Sequence, residues 1–308
     1  MPKVSGRTKM AKPEVIGSRT IRQTITEWGQ YVDIVQGWDG FQNWAFRGQG
    51  DQDWPLLPSL SRLVRETSIC GPSMRRQEDR IRRIFKRKAH HFLDDPPRDE
   101  LEWLALMQHH GAPTRLLDLT WSPFVAAFFA LERTTVDAAV WAFNLPLMWE
   151  GSERAIDGVH VWDADPRKAG IFDEHYASNE HAFVWQGDPF RMPQRVIAQS
   201  GTFLVMGNLE QTVQEIFDGY PTSQRGRSPM ENALLIQFVF DTAAVRPEAM
   251  RSMYSMNITQ STLFPGLDGL ARSMRYEFEY SWEVDLETDE VRKPLRDGRV
   301  PQDLLTLD

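Results

Sequence analysis

The sequence predicts an α+β fold in a single domain. Strand-like and helix-like segments mix without strict βαβ alternation, which disfavours a doubly wound sheet. No repeat of fixed period is visible, and no linker is long enough to separate two independent domains. A chain of 308 residues with 41% hydrophobic content can bury a large core.

The elements follow from local pattern. Residues 1–20 are basic, polar and aperiodic and read as a loose arm. Thr26, followed by Glu27, Trp28, Tyr31, Val32 and Val35, reads as a capped helix ending near Gly37. Asn43 to Gln49, "NWAFRGQ", reads as a short strand with an Arg and a Gly at its end, and "GDQDWPLLPSLSR" as an ordered loop before the next helix. In "RRQEDRIRRIFKRK", Arg75 to Lys88, eight basic residues face two acids. Ile81, Ile84 and Phe85 share one side of the helical wheel, and Arg76, Arg80, Arg83 and Arg87 fall opposite, an amphipathic helix with a cationic stripe. Asp99 to His109 reads as a helix with acids in its first turn, closed by Gly111 and Pro113.

Thr114 to Leu119 suits a strand or extended passage, and Ser122 with Pro123 starts a helix whose buried stripe is Phe124, Ala127, Phe128 and Leu131. Ala139 to Asn144, Arg195 to Met206 and Ala233 to Phe240 read as further strands. Residues 145–193 mix His, Pro, Trp and Gly without a period and read as a long irregular insertion. Glu248 to Met256 and Leu267 to Trp282 look helical. The domain is set at 21–285, with a tail at 286–308.

Composition and charge exclude several classes. The longest apolar run, Phe124 to Leu131, is far below the roughly 20 residues needed to span a bilayer, and the N-terminus lacks an apolar signal core, so the expectation is a cytoplasmic protein without membrane contact. Cys70 is the single cysteine, which leaves no internal disulfide and no thiolate metal cluster. It reads as an inert thiol, since no base for a nucleophile is identifiable. A net charge of −8 argues against the whole surface attracting nucleic acid; the arginine stripe is either a solvated helix face or a local docking surface for phosphates or an acidic partner. "GQG" at Gly48 to Gly50 is no phosphate loop, and "QSGTF" at Gln199 to Phe203 only echoes a hydrolase elbow. The His pairs and the recurring Glu-His at Glu174-His175 and Glu180-His181 lack metal-ligand spacing, so no metal is expected.

A set of polar residues lies in or beside apolar segments: Arg47, Gln108, His110, Arg115, Asp118, Thr120 and Gln199. Buried charges persist only when paired. Arg115 and Asp118 are the nearest mutual partners. They form either a clamp that fixes a turn or part of a pocket whose arginines receive an anion such as a pyrophosphate.

Several segments together resemble the FRG-domain family. They are "FRGQ" at Phe46 to Gln49, "WPLLPSLSR" at Trp54 to Arg62, "MQHHGAPTRLLDLTWSPFVAAFFA" at Met107 to Ala130, "RVIAQSGTFLV" at Arg195 to Val205 and "TLFPGLDGLARSM" at Thr262 to Met274. The resemblance runs in order from about Thr24 to Arg275. The central segment also resembles the second motif of ADP-ribosyltransferases, with Thr120 and Ser122 as its hydroxyls and Ala126, Ala127, Phe129 and Ala130 in its helix. This likeness implies a split, mixed sheet wrapped round NAD as substrate, with no metal.

In that likeness Arg47 grips phosphate or ribose, Gly48 admits the nicotinamide amide, and Gln49, His110 and Arg115 complete the cofactor site. Thr120 and Ser122 order the pocket. The glutamate usual in the third motif has no unmistakable equivalent; Gln199 is the first candidate and Glu231 the second. With Gln199 in that place the acceptor must itself be a good nucleophile, which leaves nucleic acid open as a target. The likeness implies a bacterial toxin or anti-phage effector modifying RNA, DNA or protein, restrained by an antitoxin. Arg76, Arg80, Arg83 and Arg87 would meet the nucleic acid or that partner. The competing expectation is a module that binds a nucleotide or phosphate and makes no bond.

Overall fold

The bulky segments pair into one mixed sheet whose strands are drawn from residues 14–240. The computed structural model describes residues 11–279 except 39, 70, 157–158 and 221–231, together with short strands at 284–285 and 290–291. The strands are β1 (Glu14–Val15), β2 (Thr20–Ile25), β3 (Trp44–Gln49), β4 (Leu116–Thr120), β5 (Ala138–Asn144), β6 (Val184–Gly187), β7 (Gly201–Met206) and β8 (Leu235–Phe240), in spatial order β1-β2-β8-β5-β3-β4-β7-β6. Neighbours are antiparallel except β2 and β8. Every residue of β7 and β8 is buried, because helices cover both faces; such strands read as continuous apolar runs and not as alternation.

The helices are α1 (Trp28–Gln36), α2 (Ser59–Thr67), α3 (Gly71–Ala89), α4 (Glu100–His109), α5 (Pro123–Leu131), α6 (Leu145–Ala155), α7 (Gln194–Ala198), α8 (Val213–Asp218) and α9 (Thr242–Ser255). Ser122 caps α5 through its side chain, as its sequence position implies, and Asp99, read as the first helical residue, instead caps α4. α5 is apolar all round and is correspondingly buried. The described part of the chain divides into two units, 1–258 and 259–308. The second holds α10 (Gln260–Leu263), α11 (Leu267–Glu279) and the antiparallel pair β9 (Val284–Asp285) and β10 (Glu290–Val291). Among the described residues no helix is long and apolar enough to cross a membrane.

Several elements differ from the sequence reading. β1 lies inside the stretch read as a loose arm and pairs with β2 at Ile21 and Arg22. Thr26 does not cap α1: Glu27 takes the N-cap position, and the Gln30 side chain accepts from the Thr26 backbone N–H at 3.0 Å. The segment 145–193 is not an irregular insertion, for it supplies α6, a π-helical turn at Phe172–Tyr176 and the edge strand β6. Met148, Phe172, Tyr176, Phe183, Val184 and Trp185 are core residues. Their apolar positions are spread over short elements of different period, so no single period shows. The stretch from Arg195 is helical as far as Ala198, and the strand begins only at Gly201. Cys70, Trp282 and most of the expected tail lie outside the described residues.

Charge enters the core on the inner side of α3. Glu78 and Arg82, four apart and so on one face, are both buried. Arg115, fully buried at the entry to β4, donates from Nε to Glu78 Oε1 at 2.7 Å and from Nη2 to the other Glu78 oxygen, and its Nη1 donates to the Met206 carbonyl at 2.6 Å. Arg82 pairs with Glu100 at 2.7 Å and lies 4.1 Å above the Phe172 ring. The expected Arg115–Asp118 pair is absent, because side chains at β4 positions three apart project to opposite faces. Removing one partner of a buried pair strands the other charge. We expect Arg115→Met to lower unfolding free energy by about 3–5 kcal/mol in urea titration, with Glu78→Gln added to it restoring part of the loss.

Candidate functional site

The sheet is split between β3 and β4. β3 pairs with β5 along its whole length, from Trp44 to Gln49, and β4 pairs with β7 from Leu116 to Thr120. The two halves meet in register at one position only, Phe46 opposite Thr120. Beyond it the strands part, and a cleft of about 600 Å³ lies there. Backbone groups facing such a gap lack a strand partner and need another. Arg47 supplies one: its Nη1 donates to the Asp118 carbonyl at 2.7 Å.

The cleft is lined by Arg47, Gly48, Gln49, Asp118, Thr120 and Gln199, with Trp54, Arg62, Phe129 and Arg195 among the rest of its wall. Among the described lining residues three arginines face one carboxylate, a cationic wall suited to a phosphate-bearing ligand. Burial is the main cause that lowers the pKa of Arg47; Asp118 raises it and Arg62 lowers it further. Nε of Arg47 is buried and bonds to nothing among the described residues, and Nη2 donates no hydrogen bond to them either. Such a donor carries an uncompensated desolvation cost of about 1–3 kcal/mol.

Each wall residue has a local reason for its place. A Cβ on Gly48 would stand 1.9 Å from the Ala126 carbonyl oxygen and 2.7 Å from the Ala130 nitrogen, so glycine is required for α5 to lie against β3. That packing, and not only access for a ligand, accounts for the residue. Gln49 is buried and ties the following loop: its Oε1 accepts from Trp141 Nε1 at 2.8 Å, and its Nε2 donates to the Pro55 carbonyl. Thr120 Oγ1 donates to the Gln199 carbonyl at 2.7 Å and accepts from the Ser122 N–H at 3.1 Å, fixing the turn after α7. Gln199 is the C-cap of α7 and not the first residue of a strand. It lies four residues from Arg195, so both reach the cleft from one helical face.

The Asp118 carboxylate belongs to the cleft instead of pairing with Arg115. Its Oδ1 accepts from Gln108 Nε2 at 2.7 Å, and Gln108 is itself held by the Thr114 hydroxyl.

Three expected site residues lie elsewhere. Ser122 caps α5, accepting from the Val125 N–H at 3.2 Å, and does not line the cleft. His110 is the exposed C-cap of α4, its ring 4.9 Å from that of His109. Arg115 is engaged in the core and presents no surface to a ligand. Glu231 lies outside the described residues. Arg76, Arg80, Arg83 and Arg87 all stand exposed on α3, with Arg83 paired to Asp79 at 3.0 Å. Among the described residues no group of three or more His, Cys, Asp or Glu is placed to hold a metal ion.

The sequence reading missed Trp54, Arg62 and Arg195 as wall residues. Their signals were a tryptophan preceding a proline in a polar loop, and arginines in the first turns of helices that follow Pro58 and Pro193.

The family model for the FRG domain matches residues 42–138, from the residue pair before β3 to the start of β5. The chain contains an FRG domain. That stretch supplies Arg47, Gly48, Gln49, Trp54, Arg62, Asp118 and Thr120, whereas Arg195 and Gln199 reach the FRG cleft from outside the match. No curated protein and no solved structure matches the chain.

The Gly48 packing is directly checkable. Gly48→Ala forces a carbon into the α5 backbone, and we expect a loss of roughly 1–3 kcal/mol in chemical denaturation. Gly50→Ala, whose added carbon meets nothing nearer than 3.7 Å, should stay within about 0.5 kcal/mol of the parent.

Proposed function

We propose that the cleft binds NAD and that the protein is an NAD-dependent ADP-ribosyltransferase. The observation that carries this reading is the split itself: Arg47, Thr120 and Gln199, from three distant segments, border one hollow of about 600 Å³. Cavities of this order hold cofactor-sized molecules. The diphosphate takes Arg47, with Arg62 and Arg195 adding positive charge. Cleaving the nicotinamide–ribose bond sends its electron pair to the nicotinamide nitrogen and leaves an oxocarbenium-like ribose, which a fixed negative or dipolar group stabilises. The Asp118 carboxylate, oriented by Gln108, is the group in the cleft suited to that task and to receiving the acceptor's proton. Gln199 hydrogen-bonds ribose but takes no proton.

The acceptor in this reading is a nucleic acid, RNA first, or a protein. The exposed stripe of Arg76, Arg80, Arg83 and Arg87 supplies a local positive surface on a chain of net charge −8. An antitoxin covering that stripe or the cleft mouth would restrain a toxin or anti-phage effector in the cytoplasm. One observation favours a second reading, a nucleotide-binding module without turnover: among the described residues the lining holds three arginines, one carboxylate and no glutamate.

Labelled NAD incubated with the purified protein and total RNA, DNA or lysate separates the two. The transferase reading expects label transfer with release of nicotinamide, reduced roughly 10²–10³-fold by Arg47→Ala in a soluble, folded variant. NAD binding with neither transfer nor nicotinamide release supports the module and ends the transferase reading.

A further inference from the structure

We propose that Trp54 is a stacking platform for the planar base of the cleft's ligand, so that the site selects nucleotides over bare phosphate anions. The proposal rests on the reading of the cleft as a nucleotide site, and it names a selectivity residue in it.

Trp54 is 57% exposed although it stands in a cleft wall. Its ring has no aromatic or cation partner among the described residues. It lines both the main cleft and, with Pro55, a second hollow of about 330 Å³, so it forms a ridge between two open spaces. A large apolar ring left uncovered costs hydration free energy, and Pro55 restricts the Trp54 backbone to extended conformations. The loop on either side of it is tied down.

Directly after the ridge, Leu56 and Leu57 are buried, with 0% and 2% exposure, which anchors the chain on one side. Before it, the Gln52 N–H donates to the Asp137 carbonyl at 2.8 Å, and Gln237 Nε2 donates to the Gln52 carbonyl at 2.7 Å. The Trp54 N–H closes a turn onto the Asp51 carbonyl, and Gln49 holds the Pro55 carbonyl. Val213 and Arg62 bind the Leu56 and Leu57 carbonyls at 3.1 and 2.8 Å. A platform fixed before binding loses little entropy when a ring lands on it.

The surroundings define the ligand. Exposed Phe92, Trp162 and Phe190 line neither hollow, whereas Trp54 shares its cleft with Arg47, Arg62 and Arg195. A ring beside several guanidinium groups fits a molecule with an aromatic face at one end and phosphates at the other. Stacking is tolerant of base identity, so selectivity is for a nucleotide as a class.

Binding of ADP, NAD and inorganic pyrophosphate to wild type, Trp54→Ala and Trp54→Phe, measured by calorimetry, tests this. We expect wild type to hold ADP at least about tenfold more tightly than pyrophosphate. Trp54→Ala should remove that margin and leave pyrophosphate binding unchanged, and Trp54→Phe should keep most of it. ADP affinity untouched by Trp54→Ala, or ADP and pyrophosphate weakened together, overturns the platform. A margin lost in Trp54→Ala, alongside neither label transfer nor nicotinamide release when wild type meets NAD with total RNA, DNA or lysate, supports the platform while removing the transferase reading. Binding of pyrophosphate with no preference for ADP or NAD overturns the platform and leaves an anion site.

Discussion

Between β3 and β4 two well-paired half-sheets share a single residue pair, Phe46 and Thr120, and the cleft exists because they part beyond it. The opening is costly to a sheet, since backbone groups on both strands lose their ladder partners. Arg47 meets part of that cost by reaching across to the Asp118 carbonyl, so one side chain both spans the gap and places positive charge in it. On one side α5 lies against β3 at Gly48; on the other, Thr120 secures the turn that carries Gln199. The chemistry assigned to the cleft depends on this separation being built in, because the groups that line it already have firm partners behind them.

The same logic runs through α3. Its outer face keeps four arginines in water, while its inner face sends Glu78 to Arg115 and Arg82 to Glu100. The Glu78–Arg115 pair joins that helix to the first residues of the β4 segment, and Asp118 and Thr120 follow within five residues. Arg115 therefore positions the strand that forms one cleft wall, a structural task that its motif neighbourhood concealed.

What the sequence disclosed divides along physical lines. Elements with a clear start or face were legible: α4 with its acidic first turn, α5 behind Ser122 and Pro123, and the amphipathic α3 all occur where side-chain chemistry places them. Arg47, Thr120 and Gln199 do border one hollow, whereas Ser122, His110 and Arg115 from the same expected set do not. Pairing across the chain was not legible. Asp118 is three residues from Arg115, but strand geometry turns the two apart, and the true partner of Arg115 stands on another helix. The segment 145–193 hid its core character because its buried aromatics sit in elements too short for a period to emerge. Trp54 was not legible as a wall residue, because exposure of a ring depends on tertiary anchors such as Gln237.

The central claim is that the parting of β3 and β4 forms a receptacle for a phosphate-bearing ligand, gripped by Arg47. A crystal structure of the protein with ADP-ribose tests it most directly. The account predicts the diphosphate between the strands, in contact with the Arg47 guanidinium, with β3 and β4 still joined only at Phe46 and Thr120. Ligand bound away from this opening, or strands zipped together with Arg47 turned out of the gap, would contradict it.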